Sequence, residues 1–128
     1  MSRDARQPPD VARPTPPYSP VVVADPLVFT AGQVAMRPDG TLVDGGIEEQ
    51  TRQVLDNVER CLAAAGCSMD DVVKVTAFLS DLENFDGYNR VYEERFASPY
   101  PARSTVGARL AGGLLVEIEA VALLPQDR

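Results

Sequence analysis

Two segments near the C-terminus alternate in side-chain character with a period of two, which is the pattern of strands whose two faces meet different surroundings. They span residues 101–110 and 115–123, and the short glycine-containing connection between them predicts a hairpin. The charged side chains of the two segments are Arg103, Arg109, Glu117 and Glu119. If the apolar faces pack on one core, these arginines and carboxylates converge on the other side of the sheet. A cation that binds a carboxylate would then lie beside a carboxylate that can transfer a proton.

The rest of the chain predicts two helices and three further strands. The predicted elements are strands over 21–24 and 27–34, a helix over 47–65, a strand over 72–79 and a helix from Ser80 or Asp81 to Phe96. Apolar residues at three- and four-residue steps identify the first helix, in which only Gln50 is out of character. The order β-β-α-β-α-β-β is typical of an α+β domain with one mixed sheet and both helices on one face. Because the helices cover only one side, the charged face predicts that further copies of the chain cover the other.

Residues 1–17 contain five prolines among polar residues. Proline removes a backbone donor and fixes φ, so this segment is expected to be a flexible or polyproline-like tail outside the core. The folded domain is therefore expected to span residues 18–128. A chain of 128 residues is long enough for one domain with its own core.

The composition excludes several classes of chemistry. The net charge of −7 repels phosphate backbones, so nucleic acid is not the expected partner. The chain has no histidine, which excludes His-based triads and His metal sites. Its two cysteines, Cys61 and Cys67, have no other ligand types nearby, which predicts buried thiols in a reducing compartment and no metal site. With no apolar run near the roughly 18 residues of a membrane span and no apolar signal segment, a cytoplasmic protein is expected.

Several sequence blocks occur in order along the chain. They are PYSP (17–20), LVFTAGQV (27–34), GGIEEQTRQVLDNV (45–58), FDGYNRVY (85–92), and PARSTV followed by VEIEA (101–120). Together they resemble the reactive intermediate deaminase family, RidA, formerly called YjgF. The resemblance runs from about Tyr18 to Leu124. Its most specific parts are PARS followed by a VEIEA-like strand, and GIEEQT before an amphipathic helix.

The resemblance implies a chorismate-mutase-like α+β fold that assembles into a homotrimeric barrel, with three active sites in clefts between subunits. It also implies an activity, the hydrolysis of 2-imino acids or their enamine tautomers to 2-keto acids and ammonia. No metal or organic cofactor is expected. The implied partners are a small imino or keto acid and two further copies of the chain, and neither nucleic acid nor a membrane.

The resemblance also implies roles for six residues. Arg103 matches the arginine that clamps the substrate carboxylate, since a guanidinium offers two parallel donors to a carboxylate. Glu117 matches the acid that positions or activates the attacking water. The substrate-binding positions are Tyr18, Gly32, Asn89 and Thr105. At Gly32 the backbone approaches the ligand, and Thr105 offers its backbone N–H.

Three positions depart from the family pattern. Thr105 stands where many members have Cys, Ala31 where Ser is common, and Pro17 where Gly is usual. The clamping arginine is unchanged, so these departures bear on substrate preference and rate.

Simpler roles and other functions remain open from the sequence. Arg103 could be a surface charge or an ion-pair partner of Glu119, and Glu117 a solvated strand residue. Tyr18 could anchor the tail by packing, and Asn89 could simply be exposed. A trimer that binds small carboxylates without turnover is the alternative function. An endoribonuclease is less favoured, because the chain is acidic and lacks histidine.

Overall fold

The computed structural model of the chain describes residues 3–125, which form two helices and a six-stranded sheet. The strands are β1 (Asp4–Arg6), β2 (Val21–Ala24), β3 (Leu27–Thr30), β4 (Val72–Leu79), β5 (Ala102–Gly107) and β6 (Val116–Leu123), and the helices are α1 (Ile47–Ala63) and α2 (Phe85–Arg95). Short 3-10 turns over Met69–Asp71 and Leu82–Asn84 lead into β4 and α2. The predicted α+β class, with a mixed sheet and two helices, is confirmed.

The sheet has the strand order β1-β2-β3-β6-β4-β5, with β5 at one edge. β5 runs parallel to β4, whereas β6 is antiparallel to both β3 and β4. The predicted hairpin of residues 101–110 with 115–123 is therefore wrong, because β4 lies between its two strands. Strands that follow one another in sequence pair or neighbour only about two thirds of the time. β4 suits an interior position because it has Val75 on one face and Phe78 on the other.

The apolar stripe of α1 packs on the sheet, as its periodicity predicted. Its buried apolar side chains are Val54, Leu55, Val58, Cys61 and Leu62. Glu48 and Glu49 lie in the first turn, where the positive end of the helix dipole favours them. Gly66 follows the helix with a φ of +78°, the conformation that favours glycine at a helix end. Both cysteines are buried as predicted, and burial raises the pKa of Cys61 to about 12.

Gln50, the polar residue on this stripe, is only 2% exposed and holds the loop that precedes β6. Its side-chain amide donates to the carbonyl oxygen of Gly113 at 3.0 Å and accepts from the backbone N–H of Leu115 at 2.8 Å. Burial of an amide costs free energy unless it is hydrogen-bonded, and here the loop backbone supplies both partners. Gln50 thus helps to set the path by which the chain enters β6.

The N-terminal segment takes part in the fold, contrary to the expectation of a tail excluded from the core. β1 forms an antiparallel edge strand against β2, and Arg6 donates through Nη1 to the carbonyl oxygen of Ala64 at 2.9 Å. Val11 is only 8% exposed and joins the core. The sheet and the core therefore include residues that precede residue 18. The prolines of this segment lie in the connection between β1 and β2, where no strand partner is needed.

The face of the sheet away from the helices is uncovered in the single chain. Phe29 of β3 and Val106 of β5 are 41% and 43% exposed on this face, beside Glu117 and Glu119 of β6. Exposed aromatic and branched side chains on a sheet face are typical of a surface that another protein covers. Within residues 3–125, neither helix combines the length and the apolar character that a membrane crossing requires.

Candidate active site

α2 presents a stack of aromatic rings towards β5. Phe85, Tyr88, Tyr92 and Phe96 follow one another at three- and four-residue steps, so they lie along one side of the helix. Successive ring centroids are 6.0, 5.9 and 4.5 Å apart. Tyr88 is fully buried and Tyr92 is 4% exposed. The stack lines the space between the helix and the edge strand.

Arg103 of β5 lies against this stack. Its guanidinium carbon is 5.7, 5.2 and 4.7 Å from the ring centroids of Phe85, Tyr88 and Tyr92, distances at which a cation is attracted to an aromatic face. Its Nη1 donates a hydrogen bond of 2.6 Å to Oδ1 of Asn89. Among residues 3–125, no carboxylate forms an ion pair with Arg103. The guanidinium is therefore held by rings and one amide, and its positive charge is not neutralised.

Thr105 lies two residues further along β5, on the same side as Arg103. Its Oγ1 is 3.0 Å from the hydroxyl oxygen of Tyr88, and the two groups share a hydrogen bond. Burial raises the pKa of Tyr88, although Thr105 and Arg103 act in the opposite direction. Burial, with a smaller contribution from Tyr88, raises the pKa of Tyr92 to about 12. Both phenols therefore stay neutral at neutral pH and leave the charge of Arg103 uncompensated.

Two clefts open beside the guanidinium of Arg103. One, of about 390 Å³, is lined by Leu82, Phe85, Arg103 and Thr105. The other, of about 300 Å³, is lined by Asn89, Tyr92, Glu93, Tyr100, Pro101 and Arg103. Both volumes suit a small organic acid rather than a polymer. A larger cleft between α1 and the N-terminal segment, lined mainly by acidic residues and Arg60, lies away from these groups.

Glu117 and Gly32 form a second group, on the uncovered face of the sheet. A Cβ atom at Gly32 would lie 2.9 Å from the carboxylate carbon of Glu117, so glycine is what leaves room for this side chain. Partial burial raises the pKa of Glu117, and the negative charge of Glu119 on the same face raises it further. A carboxylate with a raised pKa is a stronger base than an exposed glutamate.

Tyr18 lies two residues before Pro20, whose backbone is hydrogen-bonded beside the second group. The N–H of Ala31, next to Gly32, donates to the carbonyl oxygen of Pro20 at 2.8 Å, which brings the start of β2 beside the end of β3. Tyr18 is 52% exposed there. It lines a polar cleft together with Ala5, Arg6, Gln7, Arg13, Pro14, Ser19 and Pro20. Its ring is not packed into the core, so it does not anchor the N-terminal segment by burial.

The two groups lie on opposite faces of the sheet within one chain. Arg103 is in register with Val75 of β4, on the helix-covered face, whereas Glu117 is opposite Phe78, on the uncovered face. The expectation that the arginines and carboxylates converge on one face of a single chain is therefore wrong, and an ion pair of Arg103 with Glu119 of the same chain is excluded. The hairpin had been given the wrong partner strand, so the facing of β5 relative to β6 was inverted. Arg109 lies beyond the end of β5 and is exposed.

The sequence singles out Arg103 and Asn89, which the structure brings into contact, but not the rings on which Arg103 lies. Tyr88 and Tyr92 lie on the apolar stripe of α2, where aromatic residues normally fill the core. The signal that could have found them is the coincidence of two tyrosines, rather than phenylalanines, beside a strand that carries arginine. Tyrosine suits a position where the ring is buried and the hydroxyl has a hydrogen-bond partner.

Comparison with known proteins finds relatives of this chain. A family model described as endoribonuclease L-PSP matches residues 10–124. A 2-iminobutanoate/2-iminopropanoate deaminase of Homo sapiens is 42% identical over 109 residues, which cover 84% of this chain and 80% of the human protein. A RutC family protein of Pyrococcus horikoshii is 46% identical over 112 residues, 86% of this chain and 89% of that protein. The chain belongs to the reactive intermediate deaminase (Rid) family.

Solved structures show that the Rid fold is kept over nearly the whole chain. A Rid family protein from Yersinia pestis superposes with a TM-score of 0.92 at 36% identity and covers 96% of this chain and 100% of its own. Escherichia coli TdcF, solved with bound serine, gives a TM-score of 0.88 at 34% identity. The superposition covers 95% of this chain and 99% of the TdcF chain. The Rid proteins thus include one that holds a free amino acid, and the resemblance drawn from the sequence blocks is confirmed at the level of family and fold.

Proposed function

We propose that this Rid protein is a deaminase that hydrolyses reactive 2-imino acids, or their enamine tautomers, to 2-keto acids and ammonia. The observation that carries the proposal is the guanidinium of Arg103. It is partly buried on three aromatic rings and lacks a carboxylate partner among residues 3–125. A cation in such a position favours a bound anion. The two adjacent clefts limit that anion to a small molecule.

In the proposed complex, Arg103 receives the substrate carboxylate through two parallel N–H donors. Asn89 accepts from one guanidinium nitrogen, which leaves the other N–H groups for the ligand. The backbone N–H of Thr105 is proposed to bind the same carboxylate. Arg103 thereby fixes the imine carbon at a set distance from the carboxylate, which is the positioning that hydrolysis requires.

Glu117 is proposed to handle the proton of the attacking water. Its carboxylate takes a proton as the water oxygen bonds to the carbon of the protonated imine, and Glu117 returns that proton to the amino nitrogen of the resulting tetrahedral aminoalcohol. The carbon–nitrogen bond then breaks, ammonia leaves, and the hydroxyl proton is lost to give the keto group. One water is consumed and one ammonia is released. Burial and the charge of Glu119 raise the pKa of Glu117, which suits a group that accepts and then returns a proton.

Arg103 and Glu117 must come from different chains if they act on one substrate, because they lie on opposite faces of each sheet. We therefore include a homotrimer in the proposal, in which the uncovered sheet face of one protomer meets the α2–β5 edge of the next. The exposed Phe29 and Val106 support the burial of this face in an assembly. A cytoplasmic location also belongs to the proposal and is supported by the two buried thiols.

The proposal is tested by following the decay of 2-iminobutanoate generated from threonine by a dehydratase. Free imines hydrolyse in water, so only the protein-dependent rate counts. Arg103→Lys keeps a positive charge but loses the paired donors, and we expect kcat/KM to fall about 10- to 100-fold. Arg109→Lys is the matched control, since Arg109 lies outside both groups, and it should match the wild type.

Other outcomes would replace the proposal. Saturable binding of 2-oxobutyrate that needs Arg103, with no acceleration of imine decay, would make the protein a small-carboxylate binder. RNA cleavage by rigorously purified protein, abolished by Arg103→Lys, would support the endoribonuclease description of the family model. Imine decay at the same rate with wild type, Arg103→Lys and buffer would refute the deaminase.

A further inference from the structure

Tyr88 touches both of the β5 residues expected at the substrate. The face of its ring lies 5.2 Å from the guanidinium carbon of Arg103, and its hydroxyl is 3.0 Å from Oγ1 of Thr105. The side chain is fully buried in the core. Tyr88 therefore connects the rigid interior of the domain to two consecutive inward-facing positions of the strand.

β5 needs such a connection because it is an edge strand. It has a backbone partner on one side only, β4, and the helix-facing side chains of β5 are only partly buried. Side-chain hydrogen bonds join consecutive residues of α2 to β5: Tyr88 bonds to Thr105, and Asn89 accepts from Arg103. Both end on the side of the strand that carries the expected carboxylate site.

The hydroxyl of Tyr88 has a hydrogen-bond partner, and in this Tyr88 differs from the next tyrosine along the helix. Tyr92 stacks on the same guanidinium at 4.7 Å and is also buried, but its hydroxyl finds no hydrogen-bond partner in residues 3–125. Either hydroxyl could donate in this bond, and the phenol, being neutral at neutral pH, has a proton that it can donate to Thr105. The hydroxyl of Thr105 is then free to donate its own proton into the cleft that it lines with Leu82 and Arg103.

We propose that Tyr88 is a positioning residue that fixes Arg103 with its ring and Thr105 with its hydroxyl, so that both meet the substrate carboxylate in a constant geometry. This role rests on the proposed function, because it is the binding of the carboxylate that the geometry serves. Thr105 has a hydroxyl that can pair with a phenol, whereas an alanine or valine there would leave the hydroxyl of Tyr88 unpaired. Tyr88 and Thr105 thus act as one unit.

The test compares Tyr88→Phe with Thr105→Val and the double variant. Tyr88→Phe keeps the ring under Arg103 and removes only the hydroxyl. We expect about a 3- to 10-fold rise in KM, and in the Kd of 2-oxobutyrate measured by calorimetry, with a smaller change in kcat. The Kd of the double variant should be no higher than the higher of the two single-variant Kd values, because both changes break the same hydrogen bond. In a Thr105→Ser background, which keeps a hydroxyl, Tyr88→Phe should again weaken binding.

The same change at Tyr92 provides the comparison. Tyr92→Phe alters an equally buried ring on the same guanidinium but breaks no described hydrogen bond, so it should weaken binding less than Tyr88→Phe. Equal effects of the two changes, or additive effects of Tyr88→Phe and Thr105→Val, would overturn the positioning role. If Tyr88→Phe does not fold, Thr105→Val against Thr105→Ser tests the same bond from the other side, and equal Kd values there would refute it.

The binding measurement separates this proposal from the deaminase. A wild type that binds 2-oxobutyrate without turnover refutes the deaminase, and the Kd comparison still decides the role of Tyr88. Turnover with unchanged KM and Kd in Tyr88→Phe refutes the positioning role alone. A wild type that neither binds nor turns over leaves no carboxylate to position and overturns both.

Discussion

Gly32→Ala should impair the proposed imine hydrolysis while leaving the fold intact. The added Cβ would lie 2.9 Å from the carboxylate carbon of Glu117 and 3.1 Å from its Cγ, whereas ordinary contacts begin at 3.4 Å. The nearest atom is Oε2 of Glu117, the far end of a flexible side chain, and it overlaps the added Cβ more than the carboxylate carbon does, so the carboxylate retreats by more than the difference between 2.9 and 3.4 Å. Rotating Glu117 away from its preferred conformer costs only about 1 kcal/mol. Stability is therefore nearly unchanged.

Catalysis is more sensitive to this displacement than stability is. A misplacement of about 1 Å in a catalytic group costs on the order of 100-fold in rate. We expect Gly32→Ala to lower kcat by about 10- to 100-fold, with a smaller effect on binding of 2-oxobutyrate, since Arg103 lies on the other face of the chain that carries the change. The assay is imine decay alongside thermal unfolding of the same preparations.

Gly113→Ala is the matched control for this change. A Cβ at Gly113 meets no atom within 4 Å, and the position has no unusual backbone conformation. It should keep the wild-type kcat. Wild-type kcat in Gly32→Ala would refute the role of Glu117, and a large loss of stability would show that the glycine serves the fold instead.

Two further predictions concern the fold and the pH dependence. Gln50→Leu removes the partners of Gly113 and Leu115 and should lower the free energy of unfolding by about 2–3 kcal/mol in urea at fixed protomer concentration. Gln53 is the control, because its amide donates to the side chain of Asn57 and not to a distant loop. Gln53→Leu should lower the free energy of unfolding less than Gln50→Leu does, and equal losses would contradict the role of Gln50 in holding the loop. Because burial and then Glu119 raise the pKa of Glu117 above 4.5, activity should fall on the acid side through a pKa above that value. Glu119→Gln should move this limb to lower pH, and a limb that stays in place or rises would exclude Glu117 as the titrating base.

Local patterns predicted most of the elements correctly. The strand over 72–79 matches β4 in both bounds, the strand over 21–24 matches β2, and the helix over 47–65 matches α1 to within two residues, whereas the strand predicted over 27–34 ends at Thr30. In each case a period of two or 3.6 and a turn signal lie within the segment itself. The second helix begins later than predicted: Asp81 caps the 3-10 turn Leu82–Asn84, where its side chain accepts from the N–H of Glu83, and α2 itself begins at Phe85.

Strand pairing could not be read in the same way. The partner of β5 is set by how β4 and β6 share the centre of the sheet, which is a property of the whole chain rather than of residues 101–123. For that reason the alternation within residues 101–123 predicts Arg103 and Glu117 on one face, although they lie on opposite faces of the sheet. The burial of Val11 also depends on a distant surface, the rest of the core, and a count of prolines does not reveal it.

The buried polar groups mark the limit of sequence reasoning at the site. Gln50 stood out as a polar residue on an apolar stripe, but its partners lie 63 and 65 residues away. The hydroxyls of Tyr88 and Thr105 meet only because α2 packs beside β5. Such pairs are apparent once the tertiary arrangement is known.

In the proposed trimer, Arg103 of one protomer and Glu117 of its neighbour act on the same substrate. Two variants that are each inactive should therefore restore activity when their chains are mixed in one trimer. Arg103→Ala and Glu117→Gln proteins are unfolded together in equal amounts, refolded, and assayed for imine decay. In randomly mixed trimers, about one quarter of the interfaces join an intact Arg103 to an intact Glu117, so about one quarter of wild-type activity should return. Activity no higher than that of the separate variants, in mixtures shown by native mass measurement to contain both chains, would contradict the shared site.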